Sequence, residues 1–415
     1  MTSGLATQLQ KLTGIRVTAA CAVQQLQALR QCTGLTHLDI SNSELQGFLP
    51  VELRAALQAM PRLTLLRVCN CKLQSQVVVA ALASVLQPLT QLQHLHLARF
   101  CAGEARLVAL APALCAMPGL HTLDVSATSM SWTEGAKALC TLLGAVPGLT
   151  HLDVTYTCLR GEGAPLLAEV LRGLSLLQSL IMCGSNIGDW VMVALAPTFA
   201  ALPHLHTLDL SSNVLGTNAV TMLQPVLASQ GSPLRELDLS FNGNKAVGAL
   251  SFGTELSTAT QLRGLNLDHT WPGADGWVAL APALSRPGPS LQSFQLGLDG
   301  GSNAGSAALA SALKALTGLT RLKARTCFTP AAMATVLPAL VGMQRLQVLD
   351  LRVNVMGAEG TAAFAAAFPA LTGSLTHLDL SLCNVILPDR WEGDCQRPGP
   401  CAGPGHRPCQ AALGW

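Results

Sequence analysis

The chain has 415 residues, of which 50% are hydrophobic but only 4% aromatic, so its apolar mass consists mainly of Leu, Ala and Val. Charged residues make up 12% and the formal net charge is +2, which excludes a strong global field for nucleic acid or acidic lipid. There is no run of 18 apolar residues and no secretory signal pattern at the start. The 14 scattered cysteines indicate reduced thiols in an intracellular setting.

Residues 1–34 are expected to form an N-terminal partial repeat or cap. The triplet Thr13-Gly14-Ile15 echoes Thr33-Gly34-Leu35, and Ala19–Gln31 is predicted to form a helix. A cap is needed at this end because the end of a stack of repeats exposes its core.

From Leu35 to Val385 the pattern L-x-x-L-x-L-x-x-[N/C/S/T]-x-L recurs in 13 copies, spaced by 27 to 29 residues. The copies begin at Leu35, Leu63, Leu92, Leu120, Leu149, Leu177, Leu205, Leu234, Leu262, Leu291, Leu319, Leu346 and Leu375. So regular a period predicts a repeat architecture for residues 35–385.

Each copy opens with alternating apolar positions, which predict a short strand. A polar bend follows, and then apolar residues at helical spacing, as in GAKALCTLLGAVPGL at 135–149. A strand and a helix in under 30 residues cannot bury their own apolar face and must stack on their neighbours. Because strands lie about 4.8 Å apart and helices about 10 Å apart, the stack should curve with its strands inside.

These copies resemble leucine-rich repeats of the ribonuclease-inhibitor-like subclass, which also includes the repeat domains of Ran GTPase-activating proteins and of intracellular immune receptors. The resemblance implies an α/β horseshoe solenoid with a curved parallel sheet on the concave side and helices on the convex side. It further implies that the concave face binds another protein, and it implies no reaction.

The ninth repeat position supports this subclass, since the family uses Asn or Cys there to satisfy backbone groups in a buried turn. The position holds Ser43, Cys71, Phe100, Thr128, Thr157, Ser185, Asn213, Asn242, Thr270, Asp299, Cys327, Asn354 and Cys383. Phe100 departs from the pattern. The segment 386–415 is rich in Pro and Gly, lacks periodicity and is predicted to be a disordered tail.

The fifth repeat position holds seven aspartates, called the Asp column below. They are Asp39, Asp124, Asp153, Asp209, Asp238, Asp350 and Asp379. Six of them fall in pairs from consecutive repeats, where carboxylates about 5 Å apart on adjacent strands repel each other. Two interpretations stay open: an acidic stripe for a basic partner, or solvated residues kept by duplication of the repeat.

Four cations interrupt the Asp column in the C-terminal third: Arg321, Lys323, Arg325 and Arg352. They are expected either to pair internally with Asp350 and Asp379 or to contact an acidic partner. Internal pairing is favoured slightly, because opposite charges across strands stabilise a sheet.

Aromatic and imidazole side chains follow several strands, and the candidates at or beside the eighth position are Tyr156, Phe241, His269 and Trp271. Interfaces favour Tyr and Trp, but packing against adjacent loops is an equally good interpretation. Trp190 and Trp277 stand at predicted helix starts and are expected to pack in the core or on the convex face.

No metal or cofactor is predicted, because the histidines at the third position are spread over non-adjacent strands and do not converge. Nucleotide-binding and nucleophile-elbow motifs are also missing from the sequence.

The sequence thus predicts a monomeric, cytoplasmic, non-catalytic scaffold that binds another protein and neither nucleic acid nor membrane. The predicted patches are Asp124, Asp153, Tyr156, Asp209, Asp238 and Phe241, and separately the four cations. Two alternatives stay open. One is a regulator similar to Ran GTPase-activating proteins, and the other is a structural component of a cytoskeletal or ciliary axoneme assembly.

Overall fold

The computed structural model describes residues 8–18, 20–44, 49–71, 83–99, 104–128, 132–157, 159, 163–228, 232–242, 252–253, 256–270, 273–285, 291–297, 303–383 and 410–412. The chain divides into two compact units, Met1–Asn213 and Val214–Trp415, so the boundary falls inside the array of repeats. They are called unit 1 and unit 2.

Unit 1 consists of short strands that alternate with helices. Its strands are β1 (Lys11–Leu12), β2 (His37–Asp39), β3 (Leu65–Arg67), β4 (His94–His96), β5 (Thr122–Asp124), β6 (His151–Asp153), β7 (Ser179–Ile181) and β8 (Thr207–Asp209). Its described helices are α1 (Ala22–Leu29), α2 (Leu49–Gln58), α3 (Glu104–Cys115), α4 (Trp132–Gly144), α5 (Gly163–Gly173) and α6 (Asp189–Ala201). Each strand pairs in parallel with the next one in the chain, from β1 to β8.

Unit 2 has the same alternation. Its strands are β9 (Glu236–Asp238), β10 (Gly264–Leu267), β11 (Ser293–Gly297), β12 (Arg321–Arg325), β13 (Val348–Asp350), β14 (His377–Asp379) and β15 (Gln410–Ala412). Its described helices are α7 (Thr217–Thr221), α8 (Gln224–Ala228), α9 (Gly273–Leu284), α10 (Asn303–Ala315), α11 (Pro330–Val336), a 3-10 helix (Leu337–Gly342) and α12 (Gly357–Leu371). These strands also pair in parallel in chain order.

The central residue of each repeat strand is buried, as Leu152 is in β6, whereas its neighbours at the third and fifth positions are half-buried or exposed in nearly every repeat. The side of each sheet that carries these two positions is called the open face. Helices of neighbouring repeats pack against one another within each unit, as α3 does with α4 and α9 does with α10. The predicted α/β leucine-rich repeat solenoid is therefore confirmed: helices alternate with parallel strands that pair in sequence order.

The eighth repeat position has a left-handed backbone, with φ between +52° and +62°, in every repeat where the structure describes it. Its residues are Asn42, Asn70, Arg99, Ala127, Tyr156, Gly184, Ser212, Phe241, His269, Thr326, Val353 and Leu382. This conformation costs a residue other than glycine about 1–2 kcal/mol. It aims the backbone N–H at the next repeat, as when the N–H of Tyr156 donates to the carbonyl of Cys183 at 2.8 Å.

The ninth position is buried at every described copy, with at most 6% of each residue exposed. Asn354 shows why the side chain there must be polar. Its amide nitrogen donates to the carbonyls of Ala324 at 2.6 Å and Leu351 at 2.7 Å, and its oxygen accepts from the N–H groups of Cys327 and Phe328, both at 2.9 Å. The predicted role in satisfying the turn is confirmed, while Phe100 and Asp299 lie outside the described residues.

Three expectations about the ends and the tryptophans have mixed outcomes. Helix α1 lies within the predicted helix, and β1 pairs with β2, so residues before Leu35 supply a strand and a helix. Most of 386–415 lies outside the described residues, and its disorder stays a prediction, although β15 within it pairs with β14.

Trp277 is buried against Phe294 as expected. The prediction is wrong for Trp190, which is 74% exposed on α6.

None of the helices in the described ranges combines the length and apolar character needed to cross a membrane.

Asn354→Ala should lower the free energy of unfolding by about 2–4 kcal/mol, because two backbone N–H groups and two carbonyls lose their buried partner. Thr270→Ala is the matched change, since the Thr270 hydroxyl makes a single resolved bond, to the carbonyl of Leu267 at 2.8 Å. It should cost about 1 kcal/mol. Urea unfolding followed by circular dichroism measures both, and equal losses would contradict the bridging role.

Candidate functional site

Every carboxylate of the Asp column accepts a hydrogen bond from the backbone N–H two residues further on, at 2.8–3.2 Å. Asn266 stands in the same column and accepts the N–H of Asp268 at 3.0 Å. Asp and Asn form this local bond readily in turns. The column is thus part of the architecture, a role that sequence reasoning missed. The recurring polar residue two positions after the Asp was the available signal.

The contacts of the second oxygen of each carboxylate show whether a neighbouring group also offsets its negative charge. In unit 1, Asp124 Oδ2 lies 3.4 Å from His96 Nδ1. Burial raises the pKa of Asp124, but the hydrogen bonds from His96 and Ser126 lower it further, so the net pKa is below the usual value. Asp124 is therefore ionised at neutral pH.

Asp153 lies directly opposite Asp124 in the register of β5 and β6. Burial raises its pKa, the hydrogen bonds from Thr155 lower it, and the charge of Asp124 raises it again, with a net pKa above the usual value. No described cation forms an ion pair with Asp153. The predicted repulsion between these neighbouring carboxylates is present, and it raises the pKa of Asp153.

Unit 2 compensates the corresponding pair. Asp350 is 5% exposed and accepts the guanidinium of Arg325, whose Nε lies 2.7 Å from Oδ2. Arg352 contacts Asp350 Oδ2 at 3.1 Å and Asp379 Oδ2 at 3.2 Å. Burial raises the pKa of Asp350, but the two guanidinium groups lower it more, leaving it below the usual value. Internal pairing, the favoured interpretation, is confirmed for Arg325 and Arg352.

Arg321 and Lys323 differ from their two neighbours. Arg321 is exposed on β12 and Lys323 is half-buried two residues later. Neither forms an ion pair with a residue in the described part of unit 2. They keep their charge available at the open face.

The two other predicted acids belong to different units. Asp209 ends β8 in unit 1 and is half-buried. Asp238 ends β9 in unit 2, where the Ser240 hydroxyl donates to its Oδ1 at 2.6 Å and the Asn266 amide donates to its Oδ2 at 2.7 Å.

The aromatic residues of the eighth position are partly packed and partly exposed. Tyr156 is 54% exposed, and its ring lies so close to Gly184 that a Cβ there would collide with it. Phe241 is 53% exposed and stacks on His269 with ring centroids 4.2 Å apart. Asp268 Oδ1 lies 2.7 Å from His269 Nδ1. Trp271 lies outside the described residues.

Threonine fixes the ring of the next residue in the recurring segment Leu-Thr-His-Leu-Asp. Thr36 Oγ1 lies 3.0 Å from the carbonyl of Gln10 and 2.8 Å from His37 Nδ1. The same two contacts join Thr150 to His121 and His151, at 3.1 and 2.8 Å. Both are satisfied together when the hydroxyl donates to the carbonyl and accepts from Nδ1–H, which leaves Nε2 as a free acceptor.

Within the residues that the structure places, no three His, Cys, Asp or Glu side chains converge to hold a metal ion. The arrangement offers charged and aromatic contacts, which suit binding of another molecule.

The family profile described as Leucine Rich repeat matches residues 201–223. Ribonuclease inhibitor from Sus scrofa is 28% identical over 284 residues, covering 68% of this chain and 62% of that protein. Leucine-rich repeat-containing protein 73 from Homo sapiens is 37% identical over 106 residues, covering 25% of this chain and 34% of that protein. The chain therefore spans less than two thirds of the length of these curated relatives.

Among solved structures, an internalin from Listeria monocytogenes is similar at 16% identity and a TM-score of 0.45, covering 90% of this chain and 88% of that chain. A likeness at this level carries no argument about function.

Asp153→Asn should raise the free energy of unfolding at neutral pH by a few tenths to about 1 kcal/mol, because it removes a like-charge repulsion. Asn can still accept the N–H of Thr155, as Asn266 does for Asp268. Asp350→Asn should instead cost about 1–3 kcal/mol, since Arg325 and Arg352 lose a charged partner.

The two effects should also disappear in different pH windows. The raised pKa of Asp153 means that the native carboxylate is disfavoured above that pKa, so the gain of Asp153→Asn fades as pH falls toward about 4. The lowered pKa of Asp350 means that its contribution is complete above about 4 and is lost below it. Thermal melts at a series of pH values test this, and a loss on Asp153→Asn at pH 7 would contradict it.

Proposed function

Because the chain is a leucine-rich repeat protein of the ribonuclease-inhibitor-like type, we propose that it is a non-catalytic scaffold that binds a partner protein through its open face and the adjoining loops. Relatives of this type support the general role, as one of them is named for the protein that it inhibits. The kind of partner and the residues that contact it are part of this proposal and do not come from the relatives.

The observation that carries the proposal is the pair Asp124 and Asp153, in which Asp153 has no cationic partner among the described residues. Two half-buried carboxylates face each other across adjacent strands, and no Lys or Arg in the described part of unit 1 pairs with either. A basic segment of a partner would relieve that repulsion, which favours binding by charge complementarity. Tyr156 lies three residues after Asp153 and is exposed beside it, in the position expected of an aromatic anchor.

Asp209 extends this acidic surface within unit 1, whereas Asp238 and Phe241 form a separate candidate surface in unit 2. Arg325 and Arg352 are not among the proposed contacts, because they form ion pairs with Asp350 and Asp379 inside unit 2. Arg321 and Lys323 stay candidates for an acidic group of a partner.

We also propose that the protein is cytoplasmic and monomeric, and that it binds neither nucleic acid nor membrane. The alternatives of a GTPase activator and of an axonemal component remain predictions, since no described residue favours either. Phosphate release from a panel of small GTPases would test the first.

The double variant Asp124→Asn/Asp153→Asn should bind its basic partner about tenfold more weakly at low salt, because two attractive charges are lost. High salt should likewise weaken binding of the partner by the unaltered protein, because dissolved ions screen these partly exposed charges. Pull-down from source lysate, followed by titration of the captured protein, measures this.

Asp39→Asn is the matched control. Asp39 belongs to the same column and makes the same turn bond, but it lies opposite Arg67 in the register of β2 and β3. It should weaken binding much less than the double variant does, because Arg67 already opposes its charge. Equal binding by the double variant and the unaltered protein would contradict the acidic surface.

A further inference from the structure

We propose that the open face of unit 1 changes from acidic to basic on mild acidification, so that it holds a basic partner at neutral pH and releases it at lower pH. The inference rests on the proposed function and adds a means of regulating the same surface. Its basis is a set of histidines interleaved with the Asp column. They are His37, His94, His96, His121, His151 and His206.

His37, His94, His96 and His151 lie on the open face with the acids, and His121 and His206 directly precede β5 and β8. His37, His94 and His151 occupy the third position of β2, β4 and β6, next to the fifth position of the same or neighbouring strands. Alternate strands place these three rings about 10 Å apart along the face. His96 lies beside Asp124 at 3.4 Å. The imidazoles are thus close enough to the carboxylates to change the field that a partner meets.

Protonation of these rings is compatible with the folded state. His37 and His151 are anchored through Nδ1 to the hydroxyls of Thr36 and Thr150, so a proton can bind at Nε2 without breaking the anchor. His94 Nδ1 lies 2.9 Å from the hydroxyl of Thr122. His121 and His151 are exposed, and the others are half-buried.

The charge on this face reverses when the rings protonate. Besides the histidines, the ionised groups at the second, third and fifth positions of β1 to β8 are Lys11, Arg67, Asp39, Asp124, Asp153 and Asp209. Four carboxylates against two cations leave −2 with neutral histidines. Four imidazolium groups at the third and fifth positions take the value to +2, and His121 and His206 at the second position add two more. Histidine is the only side chain whose unperturbed pKa places its change of charge between pH 5 and 8.

The pKa values of His37 and His94 agree with a transition on the acid side of neutrality. Burial lowers the pKa of His37, and the charges of Lys11 and Arg67 lower it further. Burial also lowers the pKa of His94, and the neighbouring His96, His121 and His151 add to this effect. A lowered pKa keeps these two rings neutral at pH 7 and moves their protonation to the acid side of neutrality.

The test uses fluorescent deca-lysine and deca-aspartate peptides, whose charges stay nearly constant between about pH 5.5 and 7.5. The full chain should bind deca-lysine at least about tenfold more weakly at the lower pH, at fixed ionic strength. Deca-aspartate should bind at the lower pH alone. Circular dichroism at both pH values confirms that the protein stays folded.

The test variant is His37→Gln/His94→Gln/His121→Gln/His151→Gln, which should bind deca-lysine with a change of less than about threefold between the two pH values. His377→Gln is the matched control. His377 has the same threonine anchor, with Nδ1 3.0 Å from Thr376 Oγ1, but it lies in unit 2. It should keep the full pH response.

The outcomes separate the two proposals. Failure of deca-lysine to bind at neutral pH would contradict the basic partner and therefore the proposed function. Equal deca-lysine binding at both pH values, or an unchanged pH response in the quadruple variant, would overturn the switch and leave the proposed function standing. Failure of deca-aspartate to bind at the lower pH would also overturn the switch, whatever deca-lysine does.

Discussion

The constraint on which the rest of this structure depends is the turn after each strand, where one repeat is joined to the next by backbone hydrogen bonds. The eighth residue adopts a left-handed conformation and donates its N–H to the following repeat, and the ninth buries a polar side chain that satisfies the turn. Without those bonds the turn would bury unpaired backbone groups. Because the turn is the same in each repeat, adjacent strands keep one register, and the third and fifth positions stay on the open face.

The Asp column is a consequence of this turn before it is a recognition surface. Its carboxylates bind the N–H groups that the strand leaves free, so duplication of the repeat keeps them for structural reasons. Whether the remaining charge is available to a partner depends on the neighbouring strands. Arg325 and Arg352 neutralise Asp350, whereas Asp153 meets another carboxylate. The same residue type at the same repeat position thus stabilises unit 2 internally and leaves unit 1 with an unsatisfied negative field.

Much of the fold could be predicted from the sequence, because the regularly spaced leucines and the polar ninth position mark the residues that are buried in each repeat. The pairing of Arg325 with Asp350 and of Arg352 with Asp379 also followed from cross-strand charge. The left-handed eighth position was harder to see. Asn42 and Asn70 suit that conformation, but Tyr156 and Phe241 occupy it against their own preference. Tertiary bonds to the next repeat impose this conformation, and local propensity does not reveal them.

Exposure of single side chains was the least predictable feature. Trp190 stands at a helix start like Trp277, yet one is exposed and the other buried. Trp190 is the 14th residue of its repeat and Trp277 is the 16th, so a shift of two positions around the helix decides between them. The histidines of the open face were visible in the sequence, but the chemical role of His37 and His151 needed the contacts of Thr36 and Thr150, which hold each ring through Nδ1.

The most direct test of this account is a carboxyl carbon NMR titration of the aspartates, with Asp153→Asn and Asp350→Asn used to assign the two signals. The account predicts that Asp153 titrates above the usual value of about 3.9 and that Asp350 titrates below it. That order would establish that identical turn residues differ in their available charge. An Asp153 signal at or below the usual value would mean that its charge is already compensated, and the acidic surface of unit 1 would lose its physical basis.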